Sequence, residues 1–440
     1  MRIPEKPPDA NALYAQYGEE FSKFFLAYTT GDKEITDAVK RCTDTRYIHW
    51  DDLRHRHLPF KRDLFWLLLK YIRNYAAVAI GIGDESFKFV MLGKFQRELH
   101  QIDKESPAPL DSLIGERPSE ANKRQYLANS IMEEAIASSQ LEGAATTRQV
   151  AKKFLREGTA PKNTSERMIL NNYQTIRALK DLKEEPLTPE LILTIHRMIT
   201  EGTLDSREDE VHLRTSNDIV VRDKVDYEKI YHTPPDYTKI PGMLEDLCRF
   251  ANDDEVFVHP IVKAIILHFL VGYIHPFNDG NGRTARALFY WYVLKHGYGL
   301  FEYLSISRIF VTAPAKYTKA YLYTETDEND MTYFIDYNIA IISRAMEELR
   351  QYIEETRAEQ RNAITLVEEI PEISFRQAEI LKDFIRHPDR PYTISEIAGK
   401  YKISLPTARS DLFGLEETGR LRKIRDGKRW VFLLERGAER

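Results

Sequence analysis

Two cysteines, Cys42 and Cys248, are all that 440 residues contain. No disulfide framework and no cysteine-based zinc cluster can be assembled from them, which points to a reducing compartment. Charge of one sign is lacking too. The 63 Lys and Arg against 68 Asp and Glu leave −5 overall, too little for a chain-wide claim on nucleic acid or membrane. Uninterrupted apolar runs are missing. "LFWLLLKYIRNYAAVAIGIG" is broken by Lys70 and Arg73, and "VHPIVKAIILHFLVGYIHPF" by Lys263 and His268. Both read as buried helices rather than membrane spans. The opening "MRIPEKPPDANALYAQYGEE" has neither an apolar stretch nor a cleavage signal, so the expectation is a cytoplasmic protein. No internal repeat is visible. With 42% hydrophobic and 11% aromatic residues, there is ample material for packed cores.

What is present is mostly helical periodicity, and the expected class is mainly α with about three domains. Residues 1–115 read as a helix-rich region in which "SFKFVMLGKFQRELHQID" supplies a short strand and then a helix. His49, His55 and His57 share no helix face there, and packed or solvated histidines are favoured over a metal site. Residues 116–160 hold a helical pattern over Lys123–Phe154, stopped at Gly143 and resumed from Thr147. In residues 161–355, helices are expected over Ser165–Leu182, Pro189–Thr200, Gly242–Asn252, Pro260–Ile274, Arg283–His296, Ala315–Glu325 and Thr332–Thr356. Arg214–His232, with its strand-like "DIVV" and "IYH", reads as a β-hairpin. Residues 370–440 follow a different pattern, with three short helices and then two strands around Asp426-Gly427, the order of a winged helix-turn-helix. From Ser374 on, 15 Lys and Arg face 10 Asp and Glu.

The stretch "IHPFNDGNGRTARAL" concentrates the chemistry. Pro276 forces His275 out of helical geometry. Phe277 can bury itself and pin the loop. Asp279 offers a carboxylate to a hard cation. Gly280-Asn281-Gly282 permits positive φ and a nest of backbone N–H groups. This opens onto the N-terminus of a helix carrying Arg283 and Arg286 one turn apart, a natural phosphate site.

"HPFNDGNGRTAR" resembles the signature of the Fic (filamentation induced by cAMP) family, H-P-F-x-[D/E]-G-N-G-R-x-x-R, at every fixed position. The likeness covers roughly Ser165–Arg350 as a helical catalytic core. It implies transfer of AMP from ATP to a protein Tyr, Thr or Ser hydroxyl. His275 would be the general base and Asp279 the ligand of Mg²⁺. Gly280, Asn281 and Gly282 would cradle the phosphates, and Arg283 and Arg286 would meet the β/γ end of the nucleotide. The hairpin resembles the family's flap, where an extended target segment pairs with an edge strand. Upstream, Ser138 and Glu142 share a helix face and match the inhibitory pattern [S/T]-x-x-x-E-[G/N]. In the class with an N-terminal inhibitory helix, this glutamate would occupy Arg286. The same glutamate also supports a de-AMPylating or bifunctional enzyme.

Tyr317 and Tyr321, one turn apart, read as core residues rather than as walls of an adenine pocket. The winged-helix tail, with Arg409, Arg422, Lys423, Arg425, Lys428 and Arg429, brings DNA into view as a partner beside the protein target. It also leaves open a regulator that uses the core as a nucleotide sensor. A homodimer is a further expectation, and no membrane partner is expected.

Overall fold

The computed structural model describes residues 2–106, 120–204, 206, 208–210, 212–223, 226–369, 373–386, 390–426 and 429–435. The chain divides into two compact units, Met1–Leu349 and Arg350–Arg440.

The first unit is helical and begins with α1 (Ala10–Thr29), α2 (Lys33–Lys40), α3 (Trp50–Leu53) and α4 (Arg62–Ala76). Asp9 and Asp32 cap the first two helices through their carboxylates, as short acceptor side chains do. Phe21, Ile35, Trp50, Phe65 and Trp66 share one apolar cluster.

The run read as a single buried helix is corrected here. Helix α4 stops at Ala76, and Ala77–Ile82 forms strand β1, paired antiparallel with β2 (Glu85–Val90). The cause is local. Gly83, at φ 59, opens a two-residue turn between Ile82 and Glu85, and closing that hairpin outweighs helix continuation. Helix α5 (Gly93–Glu105) follows.

The centre of the unit is built from α6 (Glu120–Leu141), α7 (Arg148–Glu157), α8 (Thr164–Leu182), α9 (Pro189–Thr200), α10 (Ile240–Asn252), α11 (Pro260–Ile274) and α12 (Asn281–Lys295). Thr147, Asn163 and Thr188 cap α7, α8 and α9, and Pro189 and Pro260 sit in first turns, where a missing N–H costs nothing. Ile261 through Val271 are all buried, Lys263 and His268 included, so α11 is apolar all round because protein surrounds it. Lys263 is tolerated because its ammonium reaches Asp253 O at 2.6 Å.

After β3 (Val221–Arg222) and β4 (Ile230–His232), which pair antiparallel, the remaining helices of the unit are α13 (Ile306–Thr312), α14 (Pro314–Thr326) and the start of α15 (Thr332–Glu369). The β3 strand begins at Val221, the last residue of "DIVV", so the strand is shorter than that run.

A buried polar network joins the N-terminal helices to the segment before α15. Lys70 Nζ lies 2.8 Å from Asp327, Tyr47 donates to Asp330 at 2.6 Å, and Tyr333 donates to Asp327 at 2.7 Å. Burial alone would raise the Asp327 pKa, but Lys70 holds it below the usual carboxylate range. Such a network is costly to desolvate and rewards one arrangement only.

The second unit contains α16 (Phe375–Arg386), β5 (Tyr392–Thr393), α17 (Ile394–Tyr401), α18 (Leu405–Glu417), β6 (Leu421–Asp426) and β7 (Arg429–Leu434). Its sheet runs β5-β7-β6, and Phe384, Ile397, Leu412, Leu415 and Phe432 fill its core. A Thr393–Glu396 capping box starts α17, and Lys402 at φ 52 ends it. Gly427 and Lys428, expected at the wing tip, lie outside the described residues. No helix among the described residues is long and apolar enough to cross a membrane.

Candidate functional site

Helix α11 ends at Ile274 because Pro276 denies His275 the helical region. His275 sits at φ 49, ψ 58, and its N–H still closes on Val271. That left-handed backbone is tolerable for histidine but strained. It turns the ring so that Nδ1 lies 3.2 Å from Gly272 O. A carbonyl only accepts, so Nδ1 carries the proton and Nε2 is left as the basic nitrogen. Burial pushes the His275 pKa down to about 4, so the ring is neutral at neutral pH.

The loop that follows is held from inside. Asn281 Oδ1 accepts from Phe277 N at 2.9 Å and its Nδ2 donates to Phe277 O at 2.7 Å. The Asn281 side chain therefore braces the turn, and only its backbone is left to meet a ligand. Phe277 is fully buried and stacks on His196, 3.6 Å between ring centres. His196 Nε2 in turn lies 3.0 Å from Asp279 O. Gly280 has φ 80, and a Cβ there would stand 2.6 Å from Thr200. His196 and Thr200, unremarked in the sequence, thus enforce the glycine; their spacing of four on α9 was the available signal.

Arg214 joins this loop to the hairpin. Its Nε donates to His275 O at 2.9 Å and its Nη1 to Ser216 O at 2.8 Å, while Nη2 reaches Pro235 O.

Asp279 is 60% exposed at its side chain. Its Oδ1 accepts from Gly280 N at 2.6 Å, and Oδ2 lies 3.3 Å from Arg283. Arg283 departs from the expected geometry. It is fully buried and spends its guanidinium on Ile199 O and Asp279. Its charge therefore acts on the carboxylate from below and is not presented beside Arg286.

Arg286 is buried and bonded to Ser138 and Glu142. It donates to Ser138 Oγ and Ser138 O, both at 2.9 Å, and to Glu142 Oε1 at 2.8 Å. The Glu142 carboxylate also lies against Gly282, where a Cβ would collide with it. A carboxylate thus rests where the head of α12 and an arginine converge, the position a phosphate oxygen would favour.

Glu142, Gly282, Arg286 and His275 line one cavity of about 180 Å³, below the ~300 Å³ lower end for small-molecule sites. Its other walls include Val221, Tyr231 and His232 of the hairpin and Tyr317 and Tyr321 of α14. The two tyrosines are therefore not plain core. They wall the cavity, and Tyr317 is anchored through its hydroxyl 2.7 Å from His268. An aromatic body with a polar tip suits both roles, which is why spacing alone misassigned them. His232 is fixed between Glu325 and Tyr273 O, 2.7 Å from each.

In the second unit, Asp411 is buried against Arg376 at 3.0 Å and Lys423 pairs with Glu416 at 2.9 Å. Arg409, Arg422, Arg425 and Arg429 are exposed.

Residues 186–293 match the Fic/DOC family model. A Protein adenylyltransferase Fic of Nematostella vectensis is 40% identical over 72 residues, covering 15% of this chain and 16% of the relative. A probable protein adenylyltransferase of Aquifex aeolicus is 27% identical over 125 residues, covering 28% of this chain and 35% of the relative. The chain thus spans about a sixth to a third of the length of these curated relatives. The crystal structure of a Fic family protein from Desulfovibrio desulfuricans G20 aligns over 79% of this chain and 96% of its own, at 16% identity and a TM-score of 0.50, a likeness of fold. His275 and the loop through Arg286 lie inside the stretch 186–293 that resembles the Fic/DOC family, and Glu142 lies outside it.

Proposed function

We propose that the chain is a protein adenylyltransferase held in an inhibited state by Glu142. The observation that carries this reading is the convergence of His275, Gly282, Arg286 and Glu142 on one cavity, with Glu142 bonded to Arg286. ATP would lay its phosphates over the nest at Gly280–Gly282 and the head of α12, and Arg286 would receive the β/γ end. The target hydroxyl, from a Tyr, Thr or Ser delivered along the β3–β4 hairpin, would lose its proton to His275 Nε2. Its oxygen would then bond to the α-phosphorus as the bond to the bridging oxygen breaks and pyrophosphate leaves. The exposed Asp279 carboxylate suits Mg²⁺, which takes one or two carboxylates beside phosphate oxygens. When bound, that ion would neutralise phosphate charge. Arg283, 3.3 Å from Asp279 Oδ2, helps to aim the carboxylate.

Glu142 opposes this by occupying Arg286 and covering Gly282. Glu142→Gly is therefore expected to raise labelling of the chain or its target from labelled ATP by tenfold or more, the order of one charge-assisted hydrogen bond lost. Mass spectrometry should find 329 Da or so added per site, roughly one AMP less water. Equal labelling by both proteins would remove the brake. Loss of AMP from a labelled target on adding wild type would assign Glu142 to the reverse reaction instead.

For the second unit we propose a winged helix-turn-helix that meets DNA phosphates through Arg409, Arg422, Arg425 and Arg429. The burial of Asp411 against Arg376 favours this, because it removes a carboxylate from the exposed face of α18. A mobility shift of the full chain on duplex DNA, lost at higher salt, is the expected result.

A further inference from the structure

Helices α6 and α12 meet along a ladder of three rungs, each one helical turn from the next. Ser138 and Glu142 meet Arg286 and Gly282. One turn earlier on α6 stands Glu134, opposite Tyr290, one turn later on α12. Glu134 and Ser138 lie on one stripe of α6, with Glu142 in the turn just past its end, and 282, 286 and 290 form one stripe of α12 running in the opposite direction.

The Glu134 rung has no role in the reaction described above, yet four donors bond to its carboxylate. Its carboxylate is 2% exposed. It accepts from Tyr290 Oη at 2.9 Å, Ser307 N at 2.9 Å, Ser305 Oγ at 3.2 Å and the Ser307 hydroxyl. Four donors from α12 and the start of α13 thus converge on one side chain of α6. A carboxylate accepts all of them at once, and no neutral side chain of the same size does.

We infer that Glu134 is a positioning residue for the brake: it fixes the rotation and register of α6 so that Glu142 lands on Arg286 and Gly282. This rests on the reading of Glu142 as inhibitory. The apolar contacts of α6, such as Ile136 against Phe154 and Ile169, attract without direction. A slip of one residue turns the helix by about 100° and carries Glu142 off its partners. Hydrogen bonds to a buried charge resist that slip, since each donor left without its acceptor costs free energy. Glu142 is the exposed end of the ladder at 29% of its side chain, and Gly143 at φ 102 breaks the helix directly after it. The deep rung therefore holds the alignment while the outer rung is the one a nucleotide must displace.

The test is calorimetric titration of the full chain with ATP and, separately, with AMP, which has no β/γ end to reach Arg286. Glu142→Gly is expected to bind ATP about tenfold tighter than wild type, and Glu134→Ala and Ser307→Ala about threefold to tenfold tighter. AMP affinity should change by less than about twofold in each. Adding Glu134→Ala to Glu142→Gly should give no further gain, because both act on one contact. Should Glu134→Ala fail to fold, Ser307→Ala and Tyr290→Phe probe the same rung from the core side. Wild-type ATP affinity in the Glu134, Ser307 and Tyr290 variants, with Glu142→Gly still tighter, overturns this inference alone. So does a Glu134→Ala gain that persists undiminished beside Glu142→Gly. An unchanged ATP affinity in Glu142→Gly itself overturns the brake first and this inference with it.

Discussion

At His275 a strained backbone and a half-buried ring at the cavity wall serve one end. Pro276 ends the helix at His275, whose backbone is left-handed, and the Gly272 bond leaves Nε2 bare. The pKa near 4 has burial as its main cause. A base works while neutral, so activity is lost as pH falls through that value, not through the ordinary 6.5 or so. The expected kcat/KM of Glu142→Gly is level from neutral pH to about pH 5 and declines below. Removing Glu142 also removes a negative charge that favours the imidazolium, which moves the limb further down. A limb near 6.5 would contradict the burial. His275→Ala should keep its melting temperature and lose transfer. The proposed role of His275 as base came from the resemblance of its motif; its tautomer was not legible, because the Gly272 bond depends on the backbone turn at His275.

Among elements, the turn before α12 shows how a short motif is braced. Asn281 satisfies both backbone groups of Phe277. Asn281→Ala leaves both buried and unpaired, and a loss of about 1–3 kcal/mol in urea unfolding is expected, with transfer falling more than nucleotide affinity. Helix limits were largely legible from caps and prolines, as at Thr147, Thr188, Pro189 and Pro260. The strand at Ala77–Ile82 was not, because a six-residue, nearly all-apolar run directly after a helix carries no period of its own. The Glu134 rung was hidden for a related reason. A glutamate four before Ser138 looks like any solvated helix position until Tyr290 and Ser307 are brought against it.

For the first unit as a whole, the buried network around Lys70 ties residues 1–106 to the segment leading into α15. Lys70→Met strands Asp327 in the interior, and a loss of roughly 3–5 kcal/mol is expected on denaturation of the full chain. Adding Asp327→Asn should recover part of it, since the stranded charge is then gone. A loss below 1 kcal/mol or so would mean water already reaches the pair. Nothing in the sequence connected Lys70 with Asp327, since 257 residues separate them.

Local chemistry settled much from sequence alone. Periodicity set the helical class, Gly and Pro set the loop, and residue types within one short motif grouped His275, Asp279 and Arg286, while Glu142 joined them only through the resemblance of its own motif. These depend on neighbours within a turn or two, where spacing equals distance. Tertiary structure decided what spacing cannot carry. It buried Arg283 under Asp279, turned Asn281 inward, brought Tyr317 and Tyr321 to a cavity wall and set Glu142 over Gly282. Each of those outcomes depends on which helix packs against which, and only the assembled core fixes that.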